Sequence, residues 1–209
     1  MLNLILTIVG IVAILLINEI WWRLRKPNNE VSRKAAHILI GSFVAFWPYF
    51  LSRLDIILLG SVFFVIVSIG MYFKLFDKLR TVTKPTYGEL LFSLSVVIIS
   101  LITNDKLIYL TAILSMGLAD GLAAIFSSRF GKSTSFSILG FTKSLVGSLA
   151  FYIMTLLLLA NYADHVHHPV EGILYLALAL IVTILENISI AGIDNITIPL
   201  LITIWLKLI

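Results

Sequence analysis

The chain is built around apolar runs of roughly 18–20 residues, the length at which a helix crosses a ~30 Å hydrocarbon core. Apolar runs of about that length recur eight times, three of them short, over about 2–20, 35–52, 55–75, 88–104, 106–127, 144–162, 169–186 and 194–209. Inside a bilayer every backbone N–H and C=O must be paired within the protein, so segments this long have to be helices. Of the 209 residues 60% are hydrophobic and 12% charged, about half the ~25% charged content of soluble domains. A soluble core of this size has no room for that much apolar surface. The expected fold is therefore all-α: a polytopic transmembrane helical bundle of seven or eight spans, forming one integral membrane domain over residues 1–209. Pro48 falls in the second span and Pro199 in the short last one, where a kink or a half-buried segment is expected. The first run begins without the basic residues of a signal peptide and reads as a retained span. There is no cysteine, which excludes disulfides, thiol nucleophiles and cysteine-bound metals.

Basic residues set the orientation. Twelve of the fifteen lie in three alternate loops: Arg23, Arg25, Lys26, Arg33 and Lys34; then Lys74, Lys78, Arg80 and Lys84; then Arg129, Lys132 and Lys143. The intervening loops hold only Arg53 and Lys106, and Lys207 lies near the C-terminus. Retention of lysine and arginine on the cytoplasmic side places the three basic loops there and the N-terminus outside. The net charge of +4 is then explained by topology and anionic lipid rather than by nucleic-acid binding.

Ionisable groups inside spans are costly and mark functional sites by default. Here they gather at one depth. Asp120 precedes Arg129 by nine residues, about 13 Å at 1.5 Å per residue. His37 lies one turn beyond Arg33. Glu89 opens the fourth span from the cytoplasmic side, Glu186 closes the seventh, and Asp194 with Asn195 opens the eighth. Carboxylates converging on one leaflet beside basic residues suit phosphate chemistry, with Mg²⁺ on the carboxylates and phosphates held by cations and helix N-termini. Lys143-Ser144-Leu145-Val146-Gly147-Ser148 has the pattern of such an N-terminus: Ser144 as N-cap, Gly147 for close backbone approach, Lys143 for charge.

Each group also has a plainer reading. Asp120 fits a hydrogen bond across a helix interface, His37 fits a structural imidazole, Arg33 and Lys34 fit topology signals, and Glu186 and Asp194 fit helix-end caps. Gly117, Gly121 and Ala124 read as a helix-packing seam. Gly131-Lys132-Ser133 imitates the end of a P-loop, but Phe126 stands where the first glycine is needed and no strand precedes it. Asp164, His165, His167 and His168 imitate a metal cluster in the outer loop, away from the other polar groups.

The same residues resemble the membrane lipid kinases that include dolichol kinase, phytol kinase and the yeast-type CTP-dependent diacylglycerol kinase, distant relatives of phosphatidate cytidylyltransferase. Ser32-Arg33-Lys34-Ala35-Ala36-His37 with Gly41 resembles that family's Arg-Lys-x-x-His element. Asp120-Gly121-Leu122-Ala123, Arg129-Phe130-Gly131-Lys132 and Lys143-Ser144 with Gly147-Ser148 resemble its central series. Asp194-Asn195-Ile196-Thr197-Ile198-Pro199, after Glu186, resembles its terminal motif, and Tyr87-Gly88-Glu89 a segment of the phytol-kinase branch. The likeness covers residues 32–199 in order, after a first span and basic loop over 1–31. Ala119 stands where glycine is usual, and Ser127-Ser128 replaces Gly-Arg.

The resemblance implies a phosphotransferase moving the terminal phosphate of CTP or UTP onto a lipid alcohol: a polyprenol, a phytol-like isoprenoid or diacylglycerol. It implies a catalytic set of Asp120, Asp194 and His37, and Mg²⁺ on Asp120, Asp194, Asn195 and Glu186. Phosphates would be held by Arg33, Lys34, Arg129, Lys132, Lys143, Ser144, Gly147 and Ser148. A cytidylyltransferase using the same nucleotide on a lipid phosphate is the nearest alternative. A transporter is the other, although its polar groups would sit at the midplane between inverted repeats, and no repeat is visible here.

Overall fold

The computed structural model describes residues 2–25, 29–73, 87–138, 140–166 and 172–209. Lys26, the basic loop with Lys74, Lys78, Arg80 and Lys84, and His167 and His168 lie outside the described residues. The described chain is helical almost throughout: α1 Leu2–Arg25, α2 Asn29–Ala45, α3 Arg53–Tyr72, α4 Gly88–Ile102, α5 Lys106–Leu114, α6 Asp120–Phe130, α7 Leu145–His165, α8 Gly172–Ile188 and α9 Asp194–Leu208. A 3₁₀ turn, Trp47–Tyr49, follows α2, and a π turn, Ser115–Ala119, joins α5 to α6 into one body. Each of the eight expected runs is thus a helical body. Four of these, Leu2–Leu24, Arg53–Tyr72, Lys106–Phe130 and Leu145–His165, are long and apolar enough to cross a membrane on their own. Together with an outer surface of exposed Leu6, Ile17, Leu58, Val65, Leu157 and Leu180, they mark a membrane protein, since water would penalise such a surface heavily.

Local chemistry sets the helix ends. Ser52 and Asp55 form a reciprocal capping box at the start of α3. Asp105 caps α5 by accepting from the N–H groups of Leu107 and Ile108 at 2.7 and 3.0 Å. The cations outside the three basic loops have structural duties at that same end. Arg53 donates to the carbonyls of Ser100 and Leu101, each at 2.6 Å. Lys207 donates to that of Ile102 at 2.9 Å, so both satisfy the last carbonyls of α4. Lys106 lies over the Tyr49 ring.

The continuous body Lys106–Phe130 is the most buried of the four long helices, and α2, α7 and α9 pack around it. Its contact with α2 is close, backbone on backbone at Gly41–Gly117 and side chain on backbone at Ile38–Gly121. A Cβ on Gly41 would lie 2.8 Å from the Gly117 Cα, and one on Gly121 would lie 2.2 Å from the Ile38 Cγ1. The seam expected at Gly117 and Gly121 is present; Ala124 instead lines the central cavity.

One element departs from the all-helical expectation. Between α6 and α7 the chain folds into a β-hairpin, β1 Ser135–Ile138 paired antiparallel with β2 Phe141–Ser144. Gly140 takes φ +78° in its turn, the left-handed backbone that glycine allows. The alternation Phe136, Ile138, Phe141 is too brief to stand out beside long helical runs.

Candidate functional site

Three carboxylates meet at one end of the bundle. Asp120 stands at the start of α6, immediately after the π turn. Glu186 is in the last turn of α8, and Asp194 is the first residue of α9. One oxygen from each lies within 4.8 Å of the others. This is the group of acidic or imidazole side chains close enough to share a cation among the described residues. Asp120 and Glu186 are each 5% exposed.

Buried carboxylates need partners, and two lysines supply them. Lys34 on α2 donates to Asp120 Oδ2 at 2.6 Å. Lys143, delivered by β2, ion-pairs with the Glu186 carboxylate and donates to its backbone carbonyl at 2.9 Å. The hairpin therefore has a clear local purpose: it carries Lys143 to the carboxylates. His37, one turn beyond Lys34, holds Nε2 3.7 Å from Asp120 Oδ2. Among the described residues that nitrogen has no hydrogen-bond partner, while the ring is tied to the Met116 backbone in the π turn.

The terminal motif is held by an unusual turn. Between α8 and α9, Ala191 takes φ +54° and Gly192 φ +90°. A Cβ on Gly192 would fall 2.6 Å from both N and Cα of Gly88. The Tyr87 N–H donates to the Ala191 carbonyl at 2.9 Å, and Asn195 Nδ2 donates to the Gly88 carbonyl at 2.9 Å. The turn is thus clamped to the start of α4. The Asn195 N–H donates to Asp194 Oδ1 at 3.1 Å, which orients that carboxylate.

Ser144 caps α7 as expected, its Oγ accepting from the Gly147 N–H at 3.0 Å and donating to Ser127 Oγ at 2.8 Å. Gly147 serves close packing: its Cβ would lie 3.0 Å from the Ser127 Cβ and 3.1 Å from the Ala123 carbonyl. Ser148 donates to Asn187 Oδ1 at 2.7 Å.

These groups line the polar end of a cavity of about 720 Å³, within the ~300–1,000 Å³ of typical small-molecule sites. Arg33, Lys34, His37, Asp120, Lys143, Ser144, Gly147, Ser148, Glu186, Asp194 and Asn195 all border it, and so does Glu89. Arg129 and Lys132 do not: both are exposed, and the Arg129 guanidinium lies 5.6 Å from the Phe130 ring. Asp164 and His165 are exposed at the far end of α7. Sequence reasoning missed Ser127, Asn187 and the Ala191-Gly192 turn as parts of the site. The Ala-Gly pair was the available signal, since a turn with positive φ favours glycine. Ser127 and Asn187 carry no signal in the sequence, because only packing makes them partners.

No family model matches the chain, and no solved structure matches it. It is similar to the phytol kinase of Synechocystis sp., 29% identical over 199 residues that cover 90% of this chain and 83% of that protein. That likeness reaches over nearly the whole of this chain and most of the phytol kinase.

Proposed function

We propose that this protein transfers the terminal phosphate of CTP, or of UTP, to the hydroxyl of a membrane isoprenoid alcohol, with Mg²⁺ at the carboxylates. One observation carries the reading: three carboxylates and two lysines stand at the polar end of a cavity whose other end is apolar. A lipid alcohol has the matching shape, a single hydroxyl on a long apolar tail. The similarity to a phytol kinase supports the isoprenoid acceptor.

The donor set suits Mg²⁺, which takes hard oxygen ligands. Asp120, Glu186 and Asp194 would hold it, with the Asn195 amide oxygen beside them. Bound there, the ion would neutralise charge developing on the transferred phosphoryl group and the leaving nucleoside diphosphate.

The chain's own residues do the rest. Lys34 and Lys143, paired with carboxylates, turn to the incoming phosphates, helped by Arg33 and by the N-terminus of α7 at Ser144. The acceptor oxygen forms its bond to the terminal phosphorus as the bond to the bridging oxygen breaks. Its proton passes to His37 Nε2, which has no competing hydrogen bond among the described residues. Exposed Arg129 and Lys132 draw the nucleotide toward the mouth by longer-range attraction. The positive-inside pattern of the sequence supports a cytoplasmic position for this end of the bundle, where nucleotides are.

The test is transfer of label to lipid by the purified protein with Mg²⁺, an isoprenoid alcohol and CTP labelled at either the γ- or the α-phosphate. Label from the γ position alone is the expected result. Label from the α position would instead establish a cytidylyltransferase. Transfer from neither, with every alcohol and nucleotide tried, would overturn the reading.

A further inference from the structure

We propose that the apolar arm of the cavity receives the acceptor's tail and that Trp47 ends it, so that this side chain sets the longest tail accepted; the inference rests on the lipid-alcohol reading above. From His37 the arm runs between Ile40 and Val44 of α2, Gly60 and Phe63 of α3, and Phe92 and Val96 of α4. At 1.5 Å per residue along α2 and its following turn, Trp47 lies about 15 Å beyond His37. That is about one leaflet, half of a ~30 Å hydrocarbon core.

The far end is closed. Trp47 is 2% exposed, and Val44 and Ile11 beside it on the lining are also buried. Here α1 is fixed to α2 and to the chain just after it: a Cβ on Gly10 would lie 2.8 Å from the Phe43 Cζ, and Asn3 Nδ2 donates to the Phe50 carbonyl, beyond the 3₁₀ turn, at 2.7 Å. The near end is open to the side. Leu15 borders the cavity yet is 46% exposed. Both α1 and α3 line the arm, but among the described residues α1 packs along α2 with no comparable contact to α3.

A lipid therefore slips in sideways with its hydroxyl at the depth of His37 and Asp120, and its tail threads toward the closed end. A tail longer than the arm meets the Trp47 indole. A polyprenol of ten or more isoprene units is far longer than the ~15 Å arm, so most of its tail would have to stay outside through the lateral opening.

The decisive measurement is kcat/KM of the purified protein, with Mg²⁺ and CTP, on linear isoprenoid alcohols of two, three, four, six and eleven units. The wild type should peak at three or four units and fall ~10-fold or more for six, the discrimination expected when a pocket wall is overrun. Trp47→Ala should move the peak to longer alcohols, and Ile40→Trp, which fills the arm nearer the reacting centre, to shorter ones. Shifts in opposite directions are not produced by a general loss of folding. An active enzyme with a flat profile, or two variants whose peak stays where the wild type has it, would overturn the role of Trp47 and leave the kinase reading standing. Activity on none of the alcohols would overturn the isoprenoid reading itself, and this inference with it.

Discussion

Asp120 has two nitrogens within reach, Lys34 at 2.6 Å and His37 at 3.7 Å, and their roles separate experimentally. Asp120→Asn keeps an oxygen that can accept from Lys34 but loses the charge that holds a divalent ion. It should fold and extract normally while kcat for phosphate transfer falls about 100-fold or more, the scale of losing a charge-stabilising group at a reacting centre. A fully active variant would remove Asp120 from the site. Lys34→Met should act differently. Without that ammonium the carboxylates carry more uncompensated negative charge, so Mg²⁺ binds more tightly while the nucleotide loses a phosphate contact. In a thermal melt, Mg²⁺ alone should raise the midpoint further for this variant than for the wild type, roughly 2–4 °C for each additional kcal/mol of binding. Activity should fall. An equal response to Mg²⁺ would show that Lys34 does not guard the carboxylates.

Two connections decide whether those residues meet. The Ala191-Gly192 turn sets Glu186 and Asp194 side by side and rests on the backbone of Gly88. Gly192→Ala combines a positive φ with a Cβ placed 2.6 Å from main-chain atoms, so something has to move. Strain of this kind costs about 1–3 kcal/mol before any clash is counted, and denaturation monitored by helical signal should show at least that loss. Activity should fall beyond the stability effect, because α8 and α9 no longer present their carboxylates together. The second connection is the π turn Ser115–Ala119. A π turn within a helix is often associated with function; here it brings Gly117 against Gly41 and sets Asp120 opposite His37 on α2. Gly41→Val should drive the two helices apart and lower kcat far more than the melting midpoint.

At the scale of the molecule, the cysteine-free sequence makes sidedness directly measurable. Single cysteines at Ser133, in the exposed segment after α6, and at Asn104, in the exposed turn between α4 and α5, should label from opposite faces of sealed membranes, Ser133→Cys from the cytoplasmic side. Labelling from one common side would overturn the proposed orientation. Binding gives an independent check. CTP with Mg²⁺ at ~100 times its Kd should stabilise the native protein by about 2.7 kcal/mol, and a melt showing no shift would argue against a nucleotide site.

The helical bodies and the gathering of Asp120, Glu186 and Asp194 toward one end were legible in the sequence, because bilayer thickness fixes helix length and intramembrane charge is too costly to be incidental. Ser144 was legible as a cap because capping is local, settled within three residues. The pairing of Lys34 with Asp120 and of Lys143 with Glu186 was not, since each joins residues 86 and 43 positions apart, and no local rule carries that information. Nor was the β-hairpin that delivers Lys143, or the placing of Arg129 and Lys132 outside the cavity while Arg33 lines it. The sequence by itself determined which residues were too expensive to bury without purpose, because that cost belongs to each residue and its depth. Only the tertiary structure decided which of them meet and how far the apolar arm extends, because close approach at Gly41–Gly117 and Gly88–Gly192 brings together backbone from segments distant in the chain.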